Sequence, residues 1–215
     1  QSVTLQHLLI GEVWLCAGQS NMVMPLNGFD YCPISDSNNV IADAPNHPGI
    51  RMVTIKPTVK LSPQEYAEGS WQQPTTENAP KFSAAAYHYA LTLQRTLQIP
   101  IGVITCAWGG SRVEGWLPKE ILQTYKDEDL TLIGSDKTPV YLQSMLMYNG
   151  ILYPCHKYTI KGFIWYQGES NVRSSRTYAE RLATMVKHWR SIWKQGDLPF
   201  YYVETVPFAC EYKED

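Results

Sequence analysis

A serine set directly after a glycine turn is the first residue of this chain to suggest covalent chemistry. Gly18-Gln19-Ser20-Asn21-Met22 follows an apolar run, so Ser20 is expected on a tight strand-to-helix turn. Gly18 lets the backbone bend there, and the following helix offers free N–H groups and the positive end of its dipole. A hydroxyl in that position can attack a carbonyl carbon, and the N–H of the same residue can meet the oxyanion that forms. Ser is equally at home as a plain helix N-cap, so the triplet alone is compatible with both roles.

Two further segments favour the chemical role. Gly109-Gly110-Ser111-Arg112-Val113-Glu114-Gly115-Trp116 opens with paired glycines, which allow a backbone N–H to approach a ligand with no side chain in the way. The Gly110 N–H is expected to be a second oxyanion donor, an ordinary glycine turn being the plainer alternative. Gln167-Gly168-Glu169-Ser170-Asn171 adds a side-chain amide at Gln167, expected to be a third. Loss of one such donor typically lowers turnover by about 10²–10³.

These segments need elements that bring them together. Short apolar, β-branched or aromatic runs at 12–17 (EVWLCA), 51–56 (RMVTIK), 102–108 (GVITCAW), 161–166 (KGFIWY) and 200–206 (FYYVETV) read as buried parallel strands. Residues 83–98 are Ala- and Leu-rich and stop before Pro100, and 177–194 place Tyr178, Leu182, Met185, Trp189 and Trp193 at helical spacing. Both read as amphipathic helices, and 139–153 as another, with Thr138 as its cap and Pro139 at its first position. The alternation of strand and helix predicts a doubly wound α/β fold with a parallel sheet flanked by helices. In such sheets ligands bind beyond the carboxyl ends of the strands, where all three polar segments fall. Residues 27–48 and 57–80 are polar, carry no helical period and read as loops that shape a substrate mouth.

Composition narrows the function further. A net charge of −2 and 18% charged residues provide no basic field for nucleic acid or an anionic membrane. Cys16, Cys32, Cys106, Cys155 and Cys210 form no pair with zinc-ligand spacing, so no metal is expected. Seven Trp and fourteen Tyr suit a site that receives rings, although most are expected in the core. The length fits one domain over residues 1–215. The last strand-like run finishes at Val206 with no helix after it, so the domain reads as incomplete at its C-terminal end. The sequence carries no mark of oligomeric state.

GEVWLCAGQSNM, AWGGSRVEGW and WYQGESN, in that order, resemble the sialate O-acetylesterase (SASA-type) branch of the SGNH hydrolase superfamily, related to the carbohydrate acetylesterases. The resemblance runs roughly from Gly11 to Val206. It implies a flavodoxin-like SGNH fold and a serine ester hydrolase that removes O-acetyl groups from carbohydrates, sialic acid or plant-type polysaccharide, through an acyl-serine intermediate without metal or cofactor. Ser20 matches the nucleophile, Gly110 the glycine donor, and Gln167 the place where other SGNH enzymes often carry Asn. Gln19, Asn21, Arg112, Glu114 and Glu169 match flanking polar positions, with substrate-contacting or supporting roles. The resemblance also implies an exported setting, periplasmic, extracellular or lysosomal, and a β-rich segment ahead of Gln1.

Serine needs a base. His7, His47 and His156 precede strands, which sets them toward the amino edge of the sheet, while His88 and His188 lie inside helices. In the family the base belongs to an Asp-x-x-His motif after the last strand, and no such motif occurs here, so the pair is expected beyond residue 215. Glu169 is better suited to holding its loop than to replacing the base. Two alternatives stay open beside the carbohydrate esterase: an esterase or lipase with non-sugar acyl substrates, and a non-catalytic carbohydrate-binding module on the same fold.

Overall fold

In the computed structural model, which describes residue 4 and residues 8–207, five parallel strands form one sheet. They are β1 (Glu12–Gly18), β2 (Ile50–Thr54), β3 (Ile101–Ala107), β4 (Gly162–Tyr166) and β5 (Phe200–Tyr202), in the order β2-β3-β1-β4-β5. This is a doubly wound α/β sheet, differing from the flavodoxin order 2-1-3-4-5 by exchange of the first and third strands. The helices are α1 (Ser20–Val23), α2 (Ser37–Asp43), α3 (Ala84–Leu97), α4 (Lys119–Leu122) and α5 (Ser175–Trp193).

Burial on both faces explains why the strands read as continuous apolar runs. Leu15 and Ala17 of β1 join Ile104, Cys106, Phe163 and Trp165 under Met185, Trp189 and Trp193 of α5. Their neighbours Trp14 and Cys16 point the other way, with Val103 and Ile164, against Met22 of α1 and Tyr87 and Ala90 of α3. Trp14, Trp116, Trp165, Trp189 and Trp193 are all buried, so most of the tryptophans build the core. Each such ring removes roughly 150–250 Å² from water. α3 begins where expected, the Ser83 hydroxyl accepting from the Ala86 N–H at 3.2 Å, and ends at Gln98 in the left-handed region, φ 57°.

Two expectations are corrected. Residues 139–153 do not form one helix: a 3₁₀ turn at Val140–Leu142 is followed by a π turn at Tyr148–Leu152 and a 3₁₀ turn at Tyr153–Cys155. Met145, at φ 59°, breaks the run. The Gln143 side chain competes with helical bonding, accepting from the Gly134 N–H at 2.6 Å and donating to the carbonyls of Ser135 (2.9 Å) and Thr138 (2.7 Å). Residues 27–48 are not wholly loop either, since they contain α2. None of its residues is fully buried, which left no apolar stripe to read. Cys16, Cys106 and Cys155 are buried free thiols, and burial pushes the Cys16 thiol up to about 12. His7, Cys210 and the charged tail 211–215 lie outside the described residues.

Candidate active site

The strand order sets β3, β1 and β4 side by side, so the three polar segments leave adjacent strands at the same edge. Two backbone hydrogen bonds join them: Trp108 N–H to Gly18 O (3.0 Å) and Gln19 N–H to Tyr166 O (3.0 Å). Gly18 is required at that junction. Its φ is +149°, and a Cβ there would lie 2.1 Å from the Tyr166 carbonyl oxygen.

α1 is a single turn capped by Gln19, whose carbonyl accepts from Met22 N–H (2.9 Å) and Val23 N–H (3.0 Å). Ser20 is therefore the first helical residue and its hydroxyl caps nothing. Among the described residues neither the hydroxyl nor the N–H of Ser20 makes a hydrogen bond, and the residue is partly exposed. Gly110 sits at φ +75° in a turn closed by Ser111 N–H to Trp108 O (3.2 Å), and its own N–H is likewise unbonded among the described residues. One hydroxyl and two backbone N–H groups, unbonded among the described residues, are thus presented on neighbouring loops.

The third expected donor is engaged elsewhere. Gln167 is 2% exposed, and its Nε2 donates to Ser111 O (3.0 Å) and Asn171 Oδ1 (2.8 Å). Its Oε1 accepts from the Tyr178 hydroxyl (2.9 Å). One amide hydrogen ties the third segment to the second and the other folds the third segment on itself, so with both engaged Gln167 here is a strut and not a free oxyanion donor. Burial pushes the Tyr178 phenol up to about 12, further above the neutral range in which it already donates.

Glu114 and Arg112 also differ from the expected substrate contacts. Glu114 is fully buried and accepts from Asn171 Nδ2 (3.2 and 3.0 Å) and from the Arg181 guanidinium. No sugar can reach it. Arg112 donates from Nε to Leu142 O (3.0 Å) and pairs with Glu128 Oε1 (2.8 Å), fastening the loop around residue 142. Asn21 Nδ2 donates to Glu169 Oε1 (2.6 Å), tying the first segment to the third, while Glu169 Oε2 is buried without a partner. Gln19 Oε1 accepts from the Gly168 and Ser170 N–H groups, both 3.3 Å, leaving its Nε2 unbonded among the described residues.

Asn171 and Arg181 are the residues that the sequence reading passed over. Asn171 stands inside WYQGESN, and its Oδ1 also accepts from Val113 N–H (2.9 Å). Arg181 follows Tyr178 by one helical turn and precedes Met185 by another, so a charged residue on the apolar stripe of α5 was the available signal.

Four histidines are described. His47 bonds Asp43 Oδ2 (2.9 Å) and Gln94 Oε1 (3.2 Å) beside the amino end of β2. His156 bonds Tyr153 O (2.6 Å), His188 bonds the Tyr148 hydroxyl (2.9 Å), and His88 packs its ring edge-on to Tyr87. Burial holds the His188 imidazole below its ordinary value. None of the four contacts Ser20 through a hydrogen bond.

Over residues 10–214 the sequence matches the family described as carbohydrate esterase, sialic acid-specific acetylesterase. It is 27% identical over 204 residues to the sialate O-acetylesterase of Homo sapiens, which covers 91% of this chain and 38% of that one. A carbohydrate acetylesterase from Xanthomonas citri superposes with a TM-score of 0.75 at 31% identity, covering 89% of this chain and 40% of the other. A protein from Arabidopsis thaliana, 18% identical with a TM-score of 0.52 over 88% of this chain and 72% of its own, shares the fold. The chain spans less than half the length of the curated relatives it matches.

Proposed function

We propose that this chain, which belongs to the sialic acid-specific acetylesterase family of carbohydrate esterases, carries the nucleophile of an enzyme that removes O-acetyl groups from carbohydrates. The supporting observation is that, among the described residues, the Ser20 hydroxyl is unbonded on a loop cross-tied to its neighbours and the N–H groups of Ser20 and Gly110 meet no acceptor. Ser20 Oγ attacks the acetyl carbonyl carbon while a base takes its proton, and the two N–H groups stabilise the oxyanion. The base returns the proton to the departing sugar oxygen, leaving acetyl-Ser20. Water, deprotonated by the same base, attacks the acyl carbon, releasing acetate and restoring the hydroxyl. Gln19 Nε2, unbonded among the described residues, is the group we assign to substrate, while Glu169, tied to Asn21 with its other oxygen buried, supports the loop. An exported or lysosomal setting and a single domain over the chain belong to the same proposal. Among the described residues no helix is long and apolar enough to cross a membrane.

The test is acetate release from an O-acetylated saccharide together with labelling by a fluorophosphonate, with the labelled peptide containing Ser20. Sugar binding with no acetate release and no label would instead identify a binding module. The engaged positions of the four described histidines lead us to propose that the base is none of them. Changing His47, His88, His156 or His188 singly to Ala is expected to keep p-nitrophenyl acetate turnover within about threefold, measured below each variant's Tm. Removing the true base would lower it by about 10²–10⁴. A loss of that size in one of the four variants would locate the base there.

A further inference from the structure

Beside Gly110 stands an aromatic ring that none of the polar segments contains. A Cβ placed on Gly110 would lie 2.8 Å from Tyr141 Cδ2 and 3.1 Å from Cε2, so the absence of a side chain is what admits the ring. Tyr141 is nonetheless 40% exposed, and its hydroxyl makes no hydrogen bond among the described residues. An aromatic side chain left open on one side normally moves with its loop, but this loop is fastened. The Gln143 amide holds Gly134, Ser135 and Thr138, and Arg112 reaches across from the second polar segment to Leu142 O. The loop that carries the ring is therefore fastened beside Gly110, whose N–H is assigned to the oxyanion.

We infer that Tyr141 is the platform on which the sugar ring of the substrate rests. This rests on the esterase reading of Ser20 and Gly110. An ester whose carbonyl oxygen lies at the Gly110 N–H has one small arm, the acetyl methyl, and one large arm, the saccharide. The small arm needs an enclosed pocket, whereas an aromatic face open to solvent suits the large one. A saccharide presents C–H groups on its ring face and hydroxyls at its rim. The Tyr141 face meets the first through dispersion and burial of apolar area. The role of Arg112 follows: it positions this loop and does not touch the sugar.

The experiment compares Tyr141→Ala and Tyr141→Phe on two substrates, an O-acetylated saccharide and ethyl acetate, whose alcohol arm carries no ring to rest on Tyr141. Tyr141→Ala is expected to lower kcat/KM on the saccharide roughly 10- to 100-fold, as truncation of a buried aromatic contact does, and to stay within about threefold on ethyl acetate, followed by acetate release. Tyr141→Phe should stay within about threefold on both. Equal losses on the two substrates, or no loss on the saccharide, would overturn the inference, the first meaning that the ring only supports Gly110. Calorimetric binding of the saccharide in a Ser20→Ala background separates this result from the esterase reading. There Tyr141→Ala is expected to weaken Kd at least tenfold whether or not Ser20 is the nucleophile, and an unchanged Kd would count against the platform.

Discussion

In protein that contains the general base, Ser20→Ala is expected to lower kcat on p-nitrophenyl acetate by at least about 10⁴ while leaving Tm within a degree or two of the wild type. The size of the first effect comes from the chemistry: without the hydroxyl no acyl-enzyme forms, and only the oxyanion donors and substrate binding remain to assist attack by water. The smallness of the second comes from the structure. The Ser20 hydroxyl makes no hydrogen bond among the described residues, and the residue is partly exposed, so truncation strands no partner. A structural serine gives the opposite pair of results, little kinetic change and a lowered Tm. Retention of turnover within tenfold would sink the proposal that Ser20 is the nucleophile, and the fluorophosphonate label should vanish in the same variant.

The backbone was more legible than the roles of the side chains, for a physical reason. β1, β3 and β4 are buried on both faces, so almost every residue in them had to be apolar and the strands stand out. α3 and α5 cover the sheet with one stripe each, which writes a period of about 3.6 into the sequence. α2 buries no residue fully, and residues 139–153 are shaped by the Gln143 side chain and the left-handed Met145, so neither left a periodic trace. In the polar segments the ambiguity is of another kind. Gln167 and Glu114 stand at positions as suggestive as that of Ser20, yet the chain turns both inward to bond Asn171. A polar side chain after a strand faces either ligand or scaffold, and its type alone does not say which. Partner count does: Gln167 has both amide hydrogens engaged, whereas the Ser20 hydroxyl has no hydrogen bond among the described residues.

The scaffold role can be measured through a buried cation. Arg181, with its side chain 3% exposed, pairs with the fully buried Glu114, with Asp127 Oδ2 at 2.6 Å and with Glu128 Oε2 at 3.4 Å. Its guanidinium also lies 4.8 Å from the centre of the Tyr125 ring. Arg181→Met keeps much of the packing volume but leaves Glu114 with only the Asn171 amide and a distant Arg112, 3.8 Å away. An uncompensated buried carboxylate costs about 3–5 kcal/mol, which for a chain of this size is a fall in Tm of roughly 6–20 °C. Neutralising the stranded acid should return most of it, so Arg181→Met/Glu114→Gln is expected within about 2 kcal/mol of the wild type, with a large favourable coupling in the double-mutant cycle. The consequence reaches the site through Asn171, which Glu114 steadies and which in turn holds Val113 and Gln167. Arg181→Met should therefore lose turnover below its own Tm, although Arg181 touches no substrate, and the double variant should recover part of it. A single variant that unfolds within 1 kcal/mol of the wild type would mean that Glu114 takes up a proton at little cost, and that the loops beside Ser20 are held by the sheet edge alone.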